Sequence, residues 1–176
     1  DIGFADSASA LSLYSPPPGR LKLIPGIKNS LILDDTYNSS PKALEAALEV
    51  LDELKAKRKI AVLGDMLELG RHTITAHRDL GKTAAGIANI LCTVGLRAKF
   101  FVEGAIKEGF KKKTIYTFES AEKAGDEIEK LIEPGDLILV KGSQGMRMEK
   151  IVEKIMADPA RKAELLCRQD EDWINR

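Results

Sequence analysis

Apolar residues along the chain follow two alternating patterns: short uninterrupted runs, and longer stretches in which they recur every three or four residues. The short runs are typical of buried strands and lie at residues 31–33, 59–63, 90–94, 114–118 and 137–140. The stretches between and after them have helical spacing and lie at residues 41–54, 73–88, 99–109, 121–133 and 147–157. Strands and helices therefore alternate along most of the chain.

A sixth strand is predicted at residues 21–24, because Pro25-Gly26 and the polar residues after it form a turn that leads back into the run at 31–33. This hairpin makes the first strand antiparallel to the second. Strands and helices that alternate with short links predict a Rossmann-like α/β fold in three α/β/α layers, with a mostly parallel six-stranded sheet and one antiparallel strand. In such sheets ligands bind at the carboxyl ends of the parallel strands.

The two ends of the chain differ from its middle. The chain begins at Asp1 rather than methionine, and residues 1–14 lack the basic and apolar regions of a secretory signal. The three prolines at 16–18 stiffen the backbone and remove hydrogen-bond donors, while Asp158-Pro159 restarts a last helix toward Trp173. We therefore expect the end of a preceding domain with its linker, the α/β domain, and a helical extension at residues 1–19, 20–157 and 158–176.

Composition excludes several classes of partner. Lys and Arg number 27 and Asp and Glu number 27, so the formal net charge is zero and favours neither nucleic acid nor an anionic membrane. The basic run at 111–113 has no interleaved aromatic residues and is interpreted as a solvated loop. No apolar stretch approaches the roughly 18 residues of a membrane span. The two cysteines, Cys92 and Cys167, form no metal or disulfide spacing, which favours a reducing cytosol.

A polar turn, D-D-T-Y-N at residues 34–38, follows the first parallel strand. A carboxylate such as that of Asp35 can accept hydrogen bonds from ribose hydroxyls, and the amide of Asn38 can hydrogen-bond an adenine edge. The helix that begins at Pro41 favours an anion at its N-terminus. The alternative is that Asp34 and Asn38 only cap the turn.

A second polar loop, G-D-M-L-E-L-G at residues 64–70, follows the next strand. Asp65 and Glu68 could hold a metal-bound water or close over a substrate. His72 and His77 are five residues apart, so they do not share one helical face as a metal-binding pair at i, i+4 would. A solvated His72, and a His77 that is structural or lies behind the residues that contact a ligand, are favoured over metal ligands, and no metal site is predicted.

A third loop, K-G-S-Q-G-M-R at residues 141–147, joins the most apolar strand to a helix. Its glycines leave backbone N–H groups open to an anion, and Lys141 and Arg147 add positive charge. The loop suits a phosphate or a carboxylate, although it lacks the G-x-G-x-x-G spacing of a dinucleotide site. The alternative is a tight turn with solvated basic residues.

The triplet Gly81-Lys82-Thr83 is similar to the end of a phosphate-binding P-loop. The glycine that a P-loop requires five positions earlier is replaced by Ala76, and the triplet lies inside a helical pattern. The chain is therefore expected to carry no P-loop.

Taken together, the three strand-end motifs resemble the carboxyl-terminal domain of the Mur ligases. The motifs are L-I-L-D-D-T-Y-N-S-S-P at 31–41, V-L-G-D-M-L-E-L-G at 62–70 with His77 downstream, and L-V-K-G-S-Q-G-M-R-M-E at 139–149. The resemblance covers about residues 10–157. Within the family, the first and third motifs are most similar to the member that adds D-alanyl-D-alanine to UDP-N-acetylmuramoyl-tripeptide.

The resemblance implies an ATP- and Mg²⁺-dependent ligase of peptidoglycan biosynthesis, a cytoplasmic step of cell-wall biogenesis that supports cell shape and division. It forms an amide through an acyl phosphate. In this family an N-terminal domain binds the UDP-sugar, a central domain carries the P-loop, and the last domain closes over ATP and brings in the incoming amine. Since the P-loop and the UDP-sugar domain are absent here, we expect the chain alone to be inactive.

The resemblance also assigns roles to individual residues. It implies ATP contacts from Asp35, Tyr37 and Asn38. It implies contacts to the dipeptide or the acyl phosphate from Lys141, Gly142, Ser143 and Arg147. A possible further contribution comes from Asp65, Glu68 and His77. The chain departs from the family pattern at Ser40, where asparagine is usual, and at Gln144, where arginine is usual.

Two alternatives to a ligase domain remain open from the sequence. One is a stand-alone nucleotide-binding domain of the same fold. The other is a receiver-like regulatory domain, which also has acids after the first parallel strand and a lysine after the last. A receiver needs its phosphoacceptor aspartate at the end of the third strand, whereas the strand at 90–94 is followed by Gly95.

Overall fold

A computed structural model describes residues 3–174 of the chain. Its six strands are β1 (Lys22–Pro25), β2 (Leu31–Asp35), β3 (Arg58–Gly64), β4 (Ile90–Val94), β5 (Ile115–Phe118) and β6 (Asp136–Lys141). They form one sheet in the order β1-β2-β6-β3-β4-β5, in which β1 is antiparallel to β2 and every other neighbouring pair is parallel. The predicted mostly parallel six-stranded sheet with one antiparallel strand is confirmed.

Helices cover both faces of this sheet. Within the described residues they are α1 (Phe4–Ser12), α2 (Pro41–Glu53), α3 (Thr73–Ile87), α4 (Lys99–Lys107), α5 (Ala121–Leu131), α6 (Glu149–Ile155), α7 (Lys162–Leu165) and α8 (Glu171–Ile174). Buried residues of α2, α3 and α4 form one apolar core with the sheet, and those of α5 and α6 form the other. The predicted three-layer architecture is confirmed. No helix among residues 3–174 has both the length and the apolar character needed to span a membrane.

The central strand β6 shows why both faces need covering. Ile138 and Val140 point into the core that contains α5 and α6. Leu137 and Leu139 point into the core that contains α2, α3 and α4. Successive side chains of a strand point to opposite faces, so an uninterrupted apolar run such as this is stable only between two layers of helices.

The order of the strands decides which loops become neighbours. The last strand, β6, lies between β2 and β3, so the carboxyl ends of these three strands are adjacent. A receiver-like domain has the order 2-1-3-4-5, in which the first parallel strand lies between the second and the third. Here the first parallel strand, β2, instead has β1 and β6 as neighbours. The topology therefore contradicts the receiver-like alternative.

Two glycines allow α3 and α4 to pack with their backbones in close approach. A Cβ on Gly81 would lie 2.1 Å from the carbonyl oxygen of Phe101, and one on Gly104 would lie 1.9 Å from that of Arg78. Both distances are far shorter than any van der Waals contact. Gly81 of the P-loop-like triplet thus has a packing role inside a helix, which confirms that the triplet is not a P-loop.

The two ends of the chain differ from the predicted pattern. The sequence pattern does not predict α1, none of whose residues is buried. The single helix predicted after Asp158 is wrong, since α7 ends at Leu165. The next residue, Leu166, is also buried in the core, and Arg168 has a left-handed φ of 59°. Consecutive helical positions point about 100° apart, so a surface helix could not continue while burying this segment.

Asp34 fastens the proline-rich segment to the sheet. Its carboxylate accepts hydrogen bonds from the backbone N–H of Gly19 at 3.0 Å and from the hydroxyl of Thr36 at 2.6 Å. The N–H of Tyr37 in turn donates to the carbonyl of Gly19 at 3.0 Å. Burial raises the pKa of Asp34 to about 6, against the hydrogen bonds from Thr36 and Gly19, which lower it. A titratable carboxyl therefore holds the point where the chain enters the domain.

The close approach of α3 and α4 predicts opposite effects for two glycines of the same helix. Gly81→Ala should destabilise the chain by about 2–3 kcal/mol, because the new Cβ overlaps the backbone of α4. Gly86→Ala should stabilise it by about 0.5–1 kcal/mol, because no atom lies within 4 Å of the added carbon and alanine favours a helix. Urea unfolding of both variants checks this prediction. Equal effects would contradict the packing role.

The raised pKa of Asp34 predicts a contribution to stability that depends on pH. The folded state holds the proton more tightly than the unfolded state, so this contribution is complete below pH 3.8 and is lost as the pH rises through about 6. The full loss is on the order of 3 kcal/mol. Asp34→Asn cannot ionise, so the free energy of unfolding of the wild type minus that of the variant should decrease between pH 4 and pH 7. Parallel pH profiles would contradict this assignment.

Candidate functional site

Two adjoining cavities lie at the carboxyl edge of the sheet, where β2, β6 and β3 end. The first, which we call the Asp35 cavity, has a volume of about 460 Å³ and is lined by Gly19, Arg20, Leu21, Asp35, Tyr37, Asn38, Ser39, Ser40, Ala43, Ala46 and Lys141. The second, the Ser143 cavity, has a volume of about 310 Å³ and is lined by Asn38, Ser39, Ser40, Leu67, Glu68, Leu69, Ser143, Gln144 and Gly145. The turn before α2 forms the wall between them.

A buried ion pair connects the ends of β2 and β6. The Lys141 ammonium lies 2.6 Å from the Asp35 carboxylate and donates a hydrogen bond of 2.8 Å to the carbonyl of Asn38. The side chains of Lys141 and Asp35 are 1% and 13% exposed. A buried ammonium requires such partners, because its desolvation is otherwise uncompensated. Lys141 therefore fixes the polar turn, and its charge is balanced by Asp35.

The residues expected to contact ATP share the Asp35 cavity. Asp35, Tyr37 and Asn38 all line it. The Tyr37 side chain is 42% exposed, and the guanidinium of Arg20 lies 4.1 Å from the centre of its ring. An exposed aromatic ring beside a cation offers a stacking surface for a planar base. The second oxygen of the Asp35 carboxylate accepts the N–H of Leu21 at 3.2 Å, which fixes the carboxylate in the lining of this cavity.

Ser143 joins the loops after β2, β3 and β6. Its hydroxyl accepts the N–H of Leu67 at 2.8 Å and donates to the carbonyl of Ser39 at 3.4 Å. Its own N–H donates to the carbonyl of Asp65 at 3.0 Å. A Cβ on the preceding Gly142 would lie 2.7 Å from the side chain of Met148 and 3.1 Å from the Cα of Gly64, so glycine lets the ends of β6 and β3 approach closely here. Ser143 thus shapes the floor of its cavity as well as lining it.

Buried polar groups hold the loop after β3. The Nε2 atom of His77 accepts the N–H of Met66 at 3.0 Å, and its Nδ1 lies 2.7 Å from the carbonyl of Thr73, which requires the proton on Nδ1. Burial lowers the pKa of His77, so the neutral form is retained. Asp65 accepts the N–H of Ala98 at 2.6 Å. The contacts of His77 are those of a structural histidine.

Of the second loop's predicted site residues, Glu68 lines one of these two cavities, whereas Asp65 and His77 line neither. Its side chain is exposed at the rim of the Ser143 cavity, and its backbone has a left-handed φ of 63°. Asp65 and His77 are 2% and 0% exposed and face the protein interior. No group of three or more His, Cys, Asp or Glu side chains among residues 3–174 has an arrangement suited to a metal ion.

The structure places Arg147 away from both cavities. Its Nε donates to the carboxylate of Glu149 at 2.6 Å, and its guanidinium lies 5.4 Å from the ring centre of Trp173. It contributes to a separate recess of about 100 Å³ that also includes Arg168. The structure therefore brings Lys141 and Ser143 to the two cavities and leaves Arg147 beside the carboxyl-terminal tail.

Sequence reasoning missed several residues that shape this edge. Arg20 stands just after the proline-rich segment and belongs to none of the three motifs, although its guanidinium lies over the Tyr37 ring. Glu149 is the last residue of the third motif. The ending M-R-M-E of that motif is the sequence signal that could have identified Glu149 as a site residue. Arg168 and Trp173 lie in a polar tail without a motif, so no local signal marks them.

Comparisons with known proteins agree with this geometry. The family model described as "Mur ligase, glutamate ligase domain" matches residues 19–144. The chain is 33% identical over 156 residues to UDP-N-acetylmuramoyl-tripeptide--D-alanyl-D-alanine ligase of Bacillus subtilis (strain 168), a match that covers 88% of this chain and 34% of that protein.

Solved structures show the same relation. The crystal structure of MurF ligase from Thermotoga maritima in complex with ADP superposes with a TM-score of 0.70 at 27% identity, covering 88% of this chain and 33% of that one. A structure of MurF from Acinetobacter baumannii gives a TM-score of 0.74 at 30% identity, covering 89% and 34%. The chain thus spans about a third of the length of these relatives. Because the family model matches residues 19–144, which is most of the chain, the chain belongs to the Mur ligase family, as its glutamate ligase domain.

Proposed function

We propose that the chain is the carboxyl-terminal domain of an ATP-dependent ligase that adds D-alanyl-D-alanine to UDP-N-acetylmuramoyl-tripeptide. The observation that carries this proposal is the pair of cavities at one sheet edge, built from the motifs that match the family. The relative from Bacillus subtilis is named for this reaction. The match covers a third of that relative, so the activity belongs to a longer protein that contains such a domain.

The Asp35 cavity is proposed to receive the nucleoside of ATP. The Asp35 carboxylate would accept hydrogen bonds from the ribose hydroxyls, and Asn38 would hydrogen-bond the adenine edge. Tyr37, whose ring is already covered on one side by Arg20, would contribute a flat apolar surface. A MurF ligase of the same fold forms a complex with ADP, which supports nucleotide binding by this family.

The Ser143 cavity is proposed to receive the incoming dipeptide. Its wall includes the backbone of Ser143, Gln144 and Gly145 and the turn at the N-terminus of α2. Backbone N–H groups and a helix N-terminus favour a carboxylate. Glu68 at the rim is placed to hydrogen-bond an ammonium group. The proximity of the two cavities would bring the dipeptide amine close to the phosphate end of ATP.

We propose that Lys141, Gly142 and Ser143 hold the loops around the two cavities in place. Arg147 is proposed to act from the separate recess, outside both cavities. Because Lys141 is paired with Asp35, its contribution is to place the ribose-binding carboxylate. Following the family resemblance, we propose that the Mg²⁺ that accompanies ATP is held mainly by the central domain of the longer protein, which also carries the P-loop.

The domain is proposed to act by closing on the other two domains, in the cytoplasm where ATP and the UDP-linked tripeptide are found. Hinged closure would bring the Asp35 cavity over a nucleotide held by the central domain. The chain alone should not release ADP in the presence of all three substrates. Release that depends on D-alanyl-D-alanine would overturn this proposal.

A chimaera tests the substrate assignment. Residues 19–176 of this chain would replace the matching region of the Bacillus subtilis ligase, and phosphate release would be measured with each substrate omitted in turn. We expect release only when D-alanyl-D-alanine and UDP-N-acetylmuramoyl-tripeptide are both present. A folded chimaera that instead accepts a single amino acid in place of the dipeptide would contradict the proposed substrate.

Two asparagine variants of this chimaera test the ATP assignment. Asn38→Ala should raise the KM for ATP about tenfold, because it removes an adenine contact. The side chain of Asn38 accepts the backbone N–H of Gln144 at 3.4 Å. Asn89→Ala is the matched control, since the Asn89 side chain accepts the backbone N–H of Lys59 at 2.7 Å but lies at the opposite end of the sheet. Its KM for ATP should stay unchanged. Equal KM values for ATP in the two variants would show that Asn38 does not contact the nucleotide.

A further inference from the structure

Arg168, in the tail after α7, reaches back to the polar turn of the Asp35 cavity. Its side chain is 3% exposed. The guanidinium donates to the carbonyl of Thr36 at 3.1 Å and also to the carbonyl of Tyr37. These two carbonyls lie between Asp35 and Asn38, the residues that line the cavity. A rigid planar donor group from the tail therefore holds the backbone of the turn.

The same guanidinium is connected to Arg147 through a buried carboxylate. Arg168 lies 3.1 Å from one oxygen of Glu149, and Arg147 donates to the other oxygen at 2.6 Å. The Glu149 side chain is 1% exposed. A buried carboxylate between two guanidinium groups is well compensated, and its geometry fixes both. Arg147 has a left-handed φ of 52°, so its backbone conformation depends on such support.

Aromatic rings complete the connection. The Arg168 guanidinium lies 5.5 Å from the ring centre of Tyr37 and 5.4 Å from that of Trp173. Arg147 also lies 5.4 Å from Trp173. Cations at such distances from aromatic ring centres are attracted to them. The tail thus contacts both the turn after β2 and the loop after β6.

We propose that Arg168 is a positioning residue: it fixes the turn at residues 36–38 through two backbone carbonyls and fixes Arg147 through Glu149. The part of this inference that concerns ATP binding rests on the proposed function. The match to the family model ends at residue 144, so Glu149, Arg168 and Trp173 all lie beyond it. The carboxyl-terminal extension is therefore part of the site's support.

The kinetic test uses the chimaera described above. Arg168→Met should raise the KM for ATP about tenfold with kcat within about twofold, because the ribose- and adenine-binding turn loses its support. Arg161→Met is the matched control, since Arg161 lies in the same tail but pairs with the exposed Glu164. Its KM should remain that of the parent chimaera. An unchanged KM in Arg168→Met would overturn the proposal.

A conservative variant separates positioning from a general effect on folding. In Arg168→Lys a cation still faces Glu149. Its urea unfolding midpoint should therefore be closer to that of the wild type than the midpoint of Arg168→Met is. Its compact ammonium cannot span the two carbonyls and the carboxylate as a planar guanidinium does. The KM for ATP should therefore stay raised. Joint recovery of the midpoint and the KM would show a merely structural role and would overturn the proposal.

A second measurement does not depend on ligase activity. In the 176-residue chain, Arg168→Met should accelerate hydrogen exchange at the Tyr37 and Arg147 amides, which donate to Gly19 and Gln144. Exchange at the central strand β6 should change no more than in Arg161→Met. An inactive parent chimaera together with this local acceleration would reject the proposed function and retain the positioning role. Unchanged exchange at both amides would reject the positioning role.

Discussion

The site depends on one buried ammonium group. Lys141 and Asp35 are register partners on the neighbouring strands β6 and β2, so the sheet itself places their side chains together. The Lys141 side chain is 1% exposed, and an ammonium in that position is tolerated only with a carboxylate and a further acceptor beside it. The acceptor is the carbonyl of Asn38, which belongs to the polar turn. The requirement to satisfy one charge therefore ties the conformation of the turn to the pairing of two strands.

The other buried polar groups at this edge work in the same way, by satisfying backbone groups of the loops. His77 accepts a backbone N–H from the loop after β3, and Ser143 accepts another. Asp34 does so for the segment that enters the domain. Burying any of these polar groups without a partner would destabilise the fold. The hydrogen bond that each one accepts from a backbone group compensates for its desolvation and also fixes the loop. The loops consequently have little freedom to rearrange, and the exposed side chains of Tyr37 and Glu68 project from a rigid edge.

Local pattern predicts the elements of this fold well and the partners of its charges poorly. Apolar runs indicated all six strands within a residue or two. The helix caps at Ser40 and Ser120 could be identified because a capping side chain acts on residues only three positions away. The strand order, by contrast, sets which loops meet, and nothing in the run of residues 137–140 shows that β6 lies between β2 and β3. Lys141 was therefore expected to face an anion, whereas the fold supplies Asp35 as its partner. Arg168 had no local signal because its partners are more than a hundred residues away or across a break in the helix.

The charges at the edge of the sheet also bear on the proposed role of the domain within a longer protein. Lys141 is neutralised by Asp35, and Arg147 and Arg168 share Glu149. A cation that already has a close carboxylate partner in a buried setting stabilises a developing phosphate charge less than an open one, because the partner's field opposes it. Under the proposed function, these paired cations would contribute little to stabilising the phosphate charge. The domain would instead contribute the shape and the hydrogen-bonding groups that orient the substrates. In that proposal, the domain orients substrates rather than stabilising charge because its own cations are buried and already paired.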